Sequence, residues 1–397
     1  MIRGGSEILG GMRSRLGLGR HRTGSFHDRS ALIVVTSMAP HVRDTLNLRG
    51  VMIRMLAALG PCLLVAFYNS GYQANLALAR LGTTDVLGWR RVFLDALRIG
   101  YEPSSVAACV THGALYVLPI LLVTLITAGL WESLFAVARK RRLTEGFVVT
   151  AVLFTLILPP TAPLWQVVLG ISFGTVIGKE IFGGTGKNFL NPALTSLVFL
   201  YFAYPNAMAG DPIWSGVAGY SGTTIFSMVA AGGVDIIGQA GIGWWQSFLG
   251  GVQGALGVTS TLACLFGAAV LLYTRVASWR VMAGVLIGMA VTATLCNWAG
   301  VGAAPILSLP WYWHFTLGSF AFGMVFLATD PVTGASTDTG RWVYGLLIGF
   351  MILLVRVANP VHPDGVMLAI LLANMFAPLI DYGVIWANMR RRAQRRA

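Results

Sequence analysis

The sequence predicts an all-α polytopic membrane protein with about ten transmembrane helices. The composition is 56% hydrophobic and only 11% charged, whereas soluble domains carry about 25% charged residues. Several apolar runs approach or exceed the roughly 20 residues that a helix needs to cross a bilayer. The net charge of +13 comes from basic clusters that lie outside these runs, which is typical of charge sorted by membrane side and does not indicate nucleic-acid binding.

The apolar runs predict ten helices in order along the chain. They are rich in Leu, Val, Ile and Ala and lack the alternation of β-barrel strands, so helices are favoured. The predicted spans are 51–68, 115–137, 147–158, 165–181, 192–204, 257–273, 281–298, 315–329, 343–357 and 367–386.

The basic clusters predict that both termini are cytoplasmic. With ten spans, the clusters before the first span, after the second, between the sixth and seventh and at the C-terminus all fall on one side, as the positive-inside rule requires. The stretch 204–256 falls on the other side and contains no Lys or Arg. Arg90, Arg91 and Arg98, in the first outward segment, are the exception to this sorting.

A weak sequence similarity between the two halves of the chain predicts two inverted five-helix repeats. Residues 49–52 open the first span much as 280–282 open the seventh, and Asn69 and Asn297 close these spans. Inverted repeats are common in transport folds, whose ligand sites lie where the halves meet. The predicted organisation is a basic cytoplasmic region 1–48, a first membrane repeat 49–204, an outward loop 205–256, a second repeat 257–387 and a basic cytoplasmic tail 388–397.

The segment 178–192 predicts a broken helix. A predicted span runs into four glycines, two lysines and a carboxylate, and a new helix starts at Pro192, a residue that suits the first helical turn. A tight cytoplasmic turn or a re-entrant ligand site explains this pattern equally well. Asn188 and Asn191 favour a ligand, because their amides can bind a heteroaromatic ring and are costly at membrane depth without a partner.

Two carboxylates near apolar sequence, Glu132 and Asp381, are candidates for ion or quinone handling, since an ionisable group facing hydrocarbon is expensive. Glu145 and Asp330 instead fit helix ends near headgroups. His314 belongs to an aromatic belt, which favours a structural role, and we predict no metal. No motif for binding NADH or ATP occurs in the chain.

Five segments together resemble the B subunits of the bacterial sodium-translocating NADH:quinone oxidoreductases. They are 37–44, 182–194, 219–224, 328–332 and 374–379, and the resemblance runs in order from about 35 to 390. The D subunits of the related Rnf complexes share this fold, but the long basic N-terminal region and the wording of the motifs are more similar to the B subunits.

The resemblance implies a covalent flavin in the outward loop. The family joins FMN through its phosphate to the last threonine of an Asp-Gly-Tyr-Ser-Gly-Ala-Thr motif, which makes Thr224 the implied attachment point and Thr223 a second candidate. Ala218 stands where the family has Asp, part of what the flavin transferase recognises. From the residues alone, an ordinary Ser/Thr-rich turn would be preferred.

The resemblance also implies further sites and partners. Asn188 and Asn191 would hold a non-covalent riboflavin, Gly129 and Glu132 would line the quinone pocket, and Asp381 would serve sodium uptake. The chain would pass electrons to quinone in the bacterial inner membrane, while a partner flavoprotein subunit oxidises NADH and sodium is exported. The alternatives are an Rnf-type electron-transport subunit and a flavin-free transporter or assembly relative of the same fold.

Overall fold

The computed structural model describes most of the chain after its basic N-terminal region, so the prediction for residues 1–47 lies outside the described residues. The described residues are 48–83, 86, 88–208, 213–217, 220, 222, 224–298, 305–358 and 364–395.

Within these ranges every regular element is helical, as the sequence predicts. The sixteen α-helices are α1 Leu48–Leu81, α2 Trp89–Leu97, α3 Val106–Ala138, α4 Gly146–Ile157, α5 Leu164–Thr175, α6 Pro192–Ala203, α7 Pro205–Met208, α8 Ile225–Gly232, α9 Asp235–Gln239, α10 Trp244–Leu249, α11 Thr261–Tyr273, α12 Trp279–Trp298, α13 Trp311–Thr316, α14 Phe320–Phe322, α15 Asp338–Ala358 and α16 Val366–Gln394.

Five of these helices are long and apolar enough to cross a bilayer, namely α1, α3, α12, α15 and α16. Three further apolar helices, α4, α6 and α11, are shorter. This pattern is that of a polytopic membrane protein, which confirms the predicted class.

Two helices change their winding before they end. Helix α5 passes directly into the π-helical segment Val176–Glu180, and α14 passes into the π-helical segment Gly323–Leu327. Such π-helical turns are rare overall, and those that occur often lie at functional sites. The first π-segment leads into a turn-rich loop, and α6 begins beyond it with Pro192 at its first position. The helix break predicted from the sequence is therefore confirmed.

Helix α1 runs thirteen residues beyond the predicted end at position 68, because polar side chains there have partners inside the protein. Asn69 donates to the carbonyl of Val252 at 3.0 Å and to Thr259 at 3.2 Å, while Asn75 pairs with His112 at 2.7 Å. The helix therefore does not end at the predicted end of the first span, since these polar residues bind neighbouring segments of the protein. That residues from Asn69 onward lie on the outward side stays a prediction.

Small residues allow α1 and α3 to touch backbone to backbone. A Cβ at Gly71 would lie 1.8 Å from the carbonyl oxygen of Cys109, and one at Gly113 would lie 1.8 Å from that of Phe67. Close approach through small residues is the usual way in which helices associate in membranes.

Candidate functional site

A buried ion pair joins α3 to the first π-segment. Lys179 Nζ lies 2.6 Å from Glu132 Oε2, and the two side chains are only 4% and 6% exposed. The other carboxylate oxygen of Glu132 accepts hydrogen bonds from Thr144 at 2.6 Å and Thr185 at 3.2 Å. Glu132 is therefore a fully paired carboxylate, held by three side chains.

The neighbouring residue of the π-segment makes a second link to α3. Glu180 accepts a hydrogen bond from Arg139 at 3.1 Å, and its carbonyl accepts another from the same guanidinium at 2.7 Å. Arg141 also donates to the carbonyl of Gly183 in the loop that follows. The two acids and two bases of these pairs balance in charge, which reduces the cost of burying them.

Asn191 and Asp330 connect the loops that follow the two π-segments. Asn191 Nδ2 donates to Asp330 Oδ2 at 3.0 Å, and its Oδ1 accepts from the first amides of α6. Asp330 also accepts from the amide of Val332 and the hydroxyl of Thr333. Enclosure raises the pKa of Asp330, and these hydrogen bonds oppose the rise.

Asn188 has a protein partner as well, since it donates to the carbonyl of Leu190 at 2.9 Å. The chain itself therefore supplies a partner for one amide N–H of each asparagine, which weakens the sequence argument that these amides favour a ligand. Both side chains nevertheless face one cavity, named here the Asn cavity. It has a volume of about 50 Å³, and its walls include Met52, Gly146, Lys179, Asn188, Asn191 and Asp330.

Thr224 lies at the start of α8. Its hydroxyl caps the helix, accepting from the amide of Ser227 at 3.3 Å, and it shares a hydrogen bond of 2.9 Å with the Ser227 hydroxyl. The preceding loop is anchored through Tyr220, whose hydroxyl accepts from Arg80 at 2.6 Å. Thr223 and Ala218 lie outside the described residues.

A second cavity, named here the Thr224 cavity, lies beside this hydroxyl. It measures about 100 Å³ and is lined by groups that include Trp214, Thr224, Gln253, Ser319 and Asp364. The side chain of Gln253 lies over Gly222, where an added Cβ would come within 3.1 Å of the amide oxygen. Both polar and apolar side chains line the cavity, as is usual in ligand sites.

A buried arginine supports the wall of the Thr224 cavity. Arg356 Cζ lies 4.2 Å above the ring of Phe226, its Nη1 lies 2.7 Å from His314 Nδ1, and its Nε donates to the Asp364 carbonyl. The Asp364 carboxylate in turn accepts from the amide of Ser319. His314 is therefore buried against Arg356, although the sequence had placed it in an aromatic belt.

Helix α4 contacts both cavities. Leu153 lines the Asn cavity and Ile157 lines the Thr224 cavity. These residues are one helical turn apart, about 6 Å along the axis. Both cavities therefore have a wall on this helix, in which Phe154 is fully enclosed.

Asp381 lies on α16 and binds the loop that leads into α15. It accepts from the amides of Ser336 at 2.7 Å and Thr337 at 3.0 Å, and from the Thr337 hydroxyl at 2.6 Å. Hydrogen bonds to the ionised form favour a charged carboxylate.

The structure brings some of the predicted site residues together and separates others. Glu132, Asn188 and Asn191 meet through Lys179, which binds the first and lines the cavity of the other two. Thr224 belongs to the other cavity, and Gly129 packs against Phe147, whose ring would lie 3.3 Å from an added Cβ.

Three functional candidates were missed or undervalued in the sequence. The sequence pattern favours a helix end for Asp330 and a turn for Lys179, and it carries no motif at Arg356. Arg356 and Lys179 each carry a signal that was available, because a basic residue inside or at the end of an apolar run requires a partner. The identity of that partner required the tertiary structure.

Comparisons with known proteins cover nearly the whole chain. The model of the NQR2, RnfD, RnfE family matches residues 35–390. A protein of Pseudomonas paraeruginosa, named as the B subunit of a Na(+)-translocating NADH-quinone reductase, is 53% identical over 365 residues, which cover 91% of this chain and 90% of that protein. Proteins of the same name from Azotobacter vinelandii and Chromohalobacter salexigens are 52% and 53% identical, with 91% of this chain covered and 90% and 88% of theirs.

Proposed function

The chain belongs to the NQR2, RnfD, RnfE family, and from this membership we propose that it is a membrane subunit of a sodium-translocating NADH:quinone reductase. The observation that carries the proposal is the identity of about half of all residues along nearly the full length of relatives with that name. Such similarity favours the reductase over the Rnf-type alternative, because the relatives that share these residues are named for the reductase.

We further propose ten crossings of the bacterial inner membrane, in two inverted repeats with both termini cytoplasmic. The five long helices and three shorter apolar helices supply eight crossings. The continuous helical segment 164–180 and the interrupted segment 311–327, which comprises α13, α14 and the second π-segment, supply the other two. The assignment of sides rests on the basic clusters of the sequence.

FMN joined to Thr224 is compatible with the geometry of that residue. A phosphoester on the Thr224 hydroxyl would lie at the N-terminus of α8, where the helix dipole and the first amide groups favour an anion. The Thr224 cavity has about 100 Å³, whereas pockets that enclose a drug-sized ligand usually have about 300 Å³ or more. Part of the three-ring system of the flavin would therefore extend beyond this cavity.

The residues of the chain then have distinct tasks. Flavins supply the electron chemistry when bound, and the protein sets their position and surroundings. Thr224 fixes the position of the tether, Arg80 holds the loop before it through Tyr220, and Arg356 holds Phe226 just after it. NADH oxidation belongs to a partner subunit, and a flavin transferase attaches the FMN.

Riboflavin at Asn188 and Asn191 is a weaker fit. Both amide groups donate to acceptors of the protein, and about 50 Å³ leaves no room for a three-ring flavin in this conformation. Riboflavin binding here stays a prediction, and no step is derived through it.

We assign the quinone pocket to the neighbourhood of Gly129 and Glu132, as the resemblance implies. Glu132 is saturated by Lys179, Thr144 and Thr185, so a quinone oxygen would have to replace one of these donors. We assign sodium uptake to Asp381. Its carboxylate oxygens and the Thr337 hydroxyl that is bonded to them are hard oxygen ligands, the type that hard cations prefer.

The experiment that tests the proposal is in-gel flavin fluorescence of the denatured chain after co-expression with its flavin transferase. Wild type is compared with Thr224→Val and with Thr223→Val as the matched control. Fluorescence lost only in Thr224→Val supports the redox subunit and shows that the family Asp, replaced by Ala218, is dispensable. Absence of fluorescence from wild type would overturn covalent FMN here and favour the flavin-free relative.

A further inference from the structure

Helix α2 carries an apolar face that the described residues do not cover. Trp89, Val92, Phe93 and Leu97 are between 46% and 69% exposed. At 100° per residue these four side chains, together with Ala96, fall within one stripe about 140° wide. A contiguous exposed stripe of large apolar residues marks a surface that contacts something other than water.

The other two faces of α2 are already accounted for. One docks on the bundle, where Leu94 is 1% exposed and Arg90 lies 4.3 Å above the Tyr116 ring and donates to the carbonyl of Leu115. The other is polar and carries Arg91 and Asp95, which form an i,i+4 pair. The helix is thus fixed to the protein along one side while its apolar stripe remains exposed.

The position of α2 in the chain indicates where this stripe lies. The helix connects the end of α1 to the start of α3, two helices long and apolar enough to span a bilayer. A short helix between two such ends stays on one side of the membrane. Trp89 at its beginning is a residue type that is enriched at the membrane–water interface.

We propose that α2 is an interfacial helix whose apolar stripe inserts among phospholipid headgroups and acyl chains, with Arg91 and Arg98 facing lipid phosphates. Within residues 89–98 the charges support a lipid surface as the occupant, since Arg90, Arg91 and Arg98 outnumber Asp95, while Asp85 and Glu102 flank the helix on either side. Amphipathic helices with basic polar faces and Trp, Phe and Leu on the apolar face bind membranes in this way. The inference does not depend on the proposed redox function.

This placement also gives a physical reason for the three arginines that break the charge sorting of the sequence. Arg90 is held by Tyr116 and Leu115, Arg91 pairs with Asp95, and Arg98 ends α2 with a left-handed backbone, φ 53°. All three serve a helix that stays on one membrane surface, so none of them marks a cytoplasmic loop.

The test is electron paramagnetic resonance of a nitroxide label in the assembled complex, reconstituted in vesicles of phosphatidylethanolamine and phosphatidylglycerol. Phe93→Cys places the label on the stripe, and Asp95→Cys is the matched control on the polar face. Both are made in a Cys296→Ala background, because Cys62, Cys109 and Cys264 are buried. Val92→Cys repeats the stripe measurement if the first variant does not assemble.

We expect oxygen, which concentrates in lipid, to relax the label at position 93 more than a water-soluble nickel chelate does, and the reverse order at position 95. Greater relaxation by the nickel chelate at both positions would overturn the proposal, because the stripe would be solvated. A label at position 93 that neither reagent relaxes would also overturn it, since a partner protein would then cover the stripe.

Discussion

Removal of the buried lysine should destabilise the protein more than removal of a surface arginine. In Lys179→Met, the Glu132 carboxylate keeps the Thr144 and Thr185 hydroxyls but loses its cationic contact at 2.6 Å. Breaking a buried pair by removing one partner costs about 3–5 kcal/mol. Since two hydroxyl donors remain, we expect about 3 kcal/mol, at the lower end of that range.

The assay is thermal unfolding of the purified chain in one detergent. Unfolding entropy of about 2.1 cal/mol/K per residue over 397 residues converts about 3 kcal/mol to a fall in Tm of about 4 °C. The matched control is Arg280→Met, which breaks a pair with Asp338, a carboxylate that is 67% exposed and keeps Arg341. Such exposed pairs contribute about 0–1 kcal/mol.

The double variant Lys179→Met with Glu132→Leu separates a buried charge from a packing defect. Replacing both partners by apolar side chains is often neutral or stabilising, so the double variant should regain most of the lost Tm. The reasoning fails if Lys179→Met unfolds within a degree of Arg280→Met, or if the double variant is less stable than the single one.

Three further predictions concern helix contact, pH and ion uptake. Gly71→Ala should cost about 1–3 kcal/mol of stability by overpacking, because the added methyl would meet the backbone of Cys109. Gly60→Ala, which has open space around it, should be neutral or stabilising. The Tm values of the two variants in detergent test this order. Burial raises the pKa of Asp330 in the folded protein. The stability that this carboxyl contributes is therefore full below the ordinary Asp pKa and is lost as pH rises through the raised pKa. Between these two pKa values, the Tm difference between wild type and Asp330→Asn should change with pH. Asp381→Asn should raise the sodium concentration needed for half-maximal quinone reduction by the complex, several-fold, with little change in the KM for NADH.

Each of these has its own contradicting result. Equal Tm values for the two glycine variants would contradict the close approach of α1 and α3. A Tm difference between wild type and Asp330→Asn that is constant with pH would contradict a raised pKa. An unchanged sodium dependence in Asp381→Asn would limit that residue to its hydrogen bonds with Ser336 and Thr337.

The sequence determined the helical class, the order of the apolar segments and the family. These features depend on local sequence alone. About twenty consecutive apolar residues form a membrane span wherever they lie in the chain, and a motif such as 182–194 can be recognised without the rest of the sequence. The break before Pro192 and the restart of α6 were predictable for the same reason, because proline and glycine act on their own backbone.

Only the tertiary structure decided which polar groups are paired. Asn191 is 139 positions from Asp330, Glu132 is 47 from Lys179, and Asn69 is 183 from Val252. A buried polar group must find a partner, but the sequence does not state which one. That choice depends on how distant helices pack, and it is why the end of α1, the pairing of Glu132 and the role of Asp330 emerged from the fold.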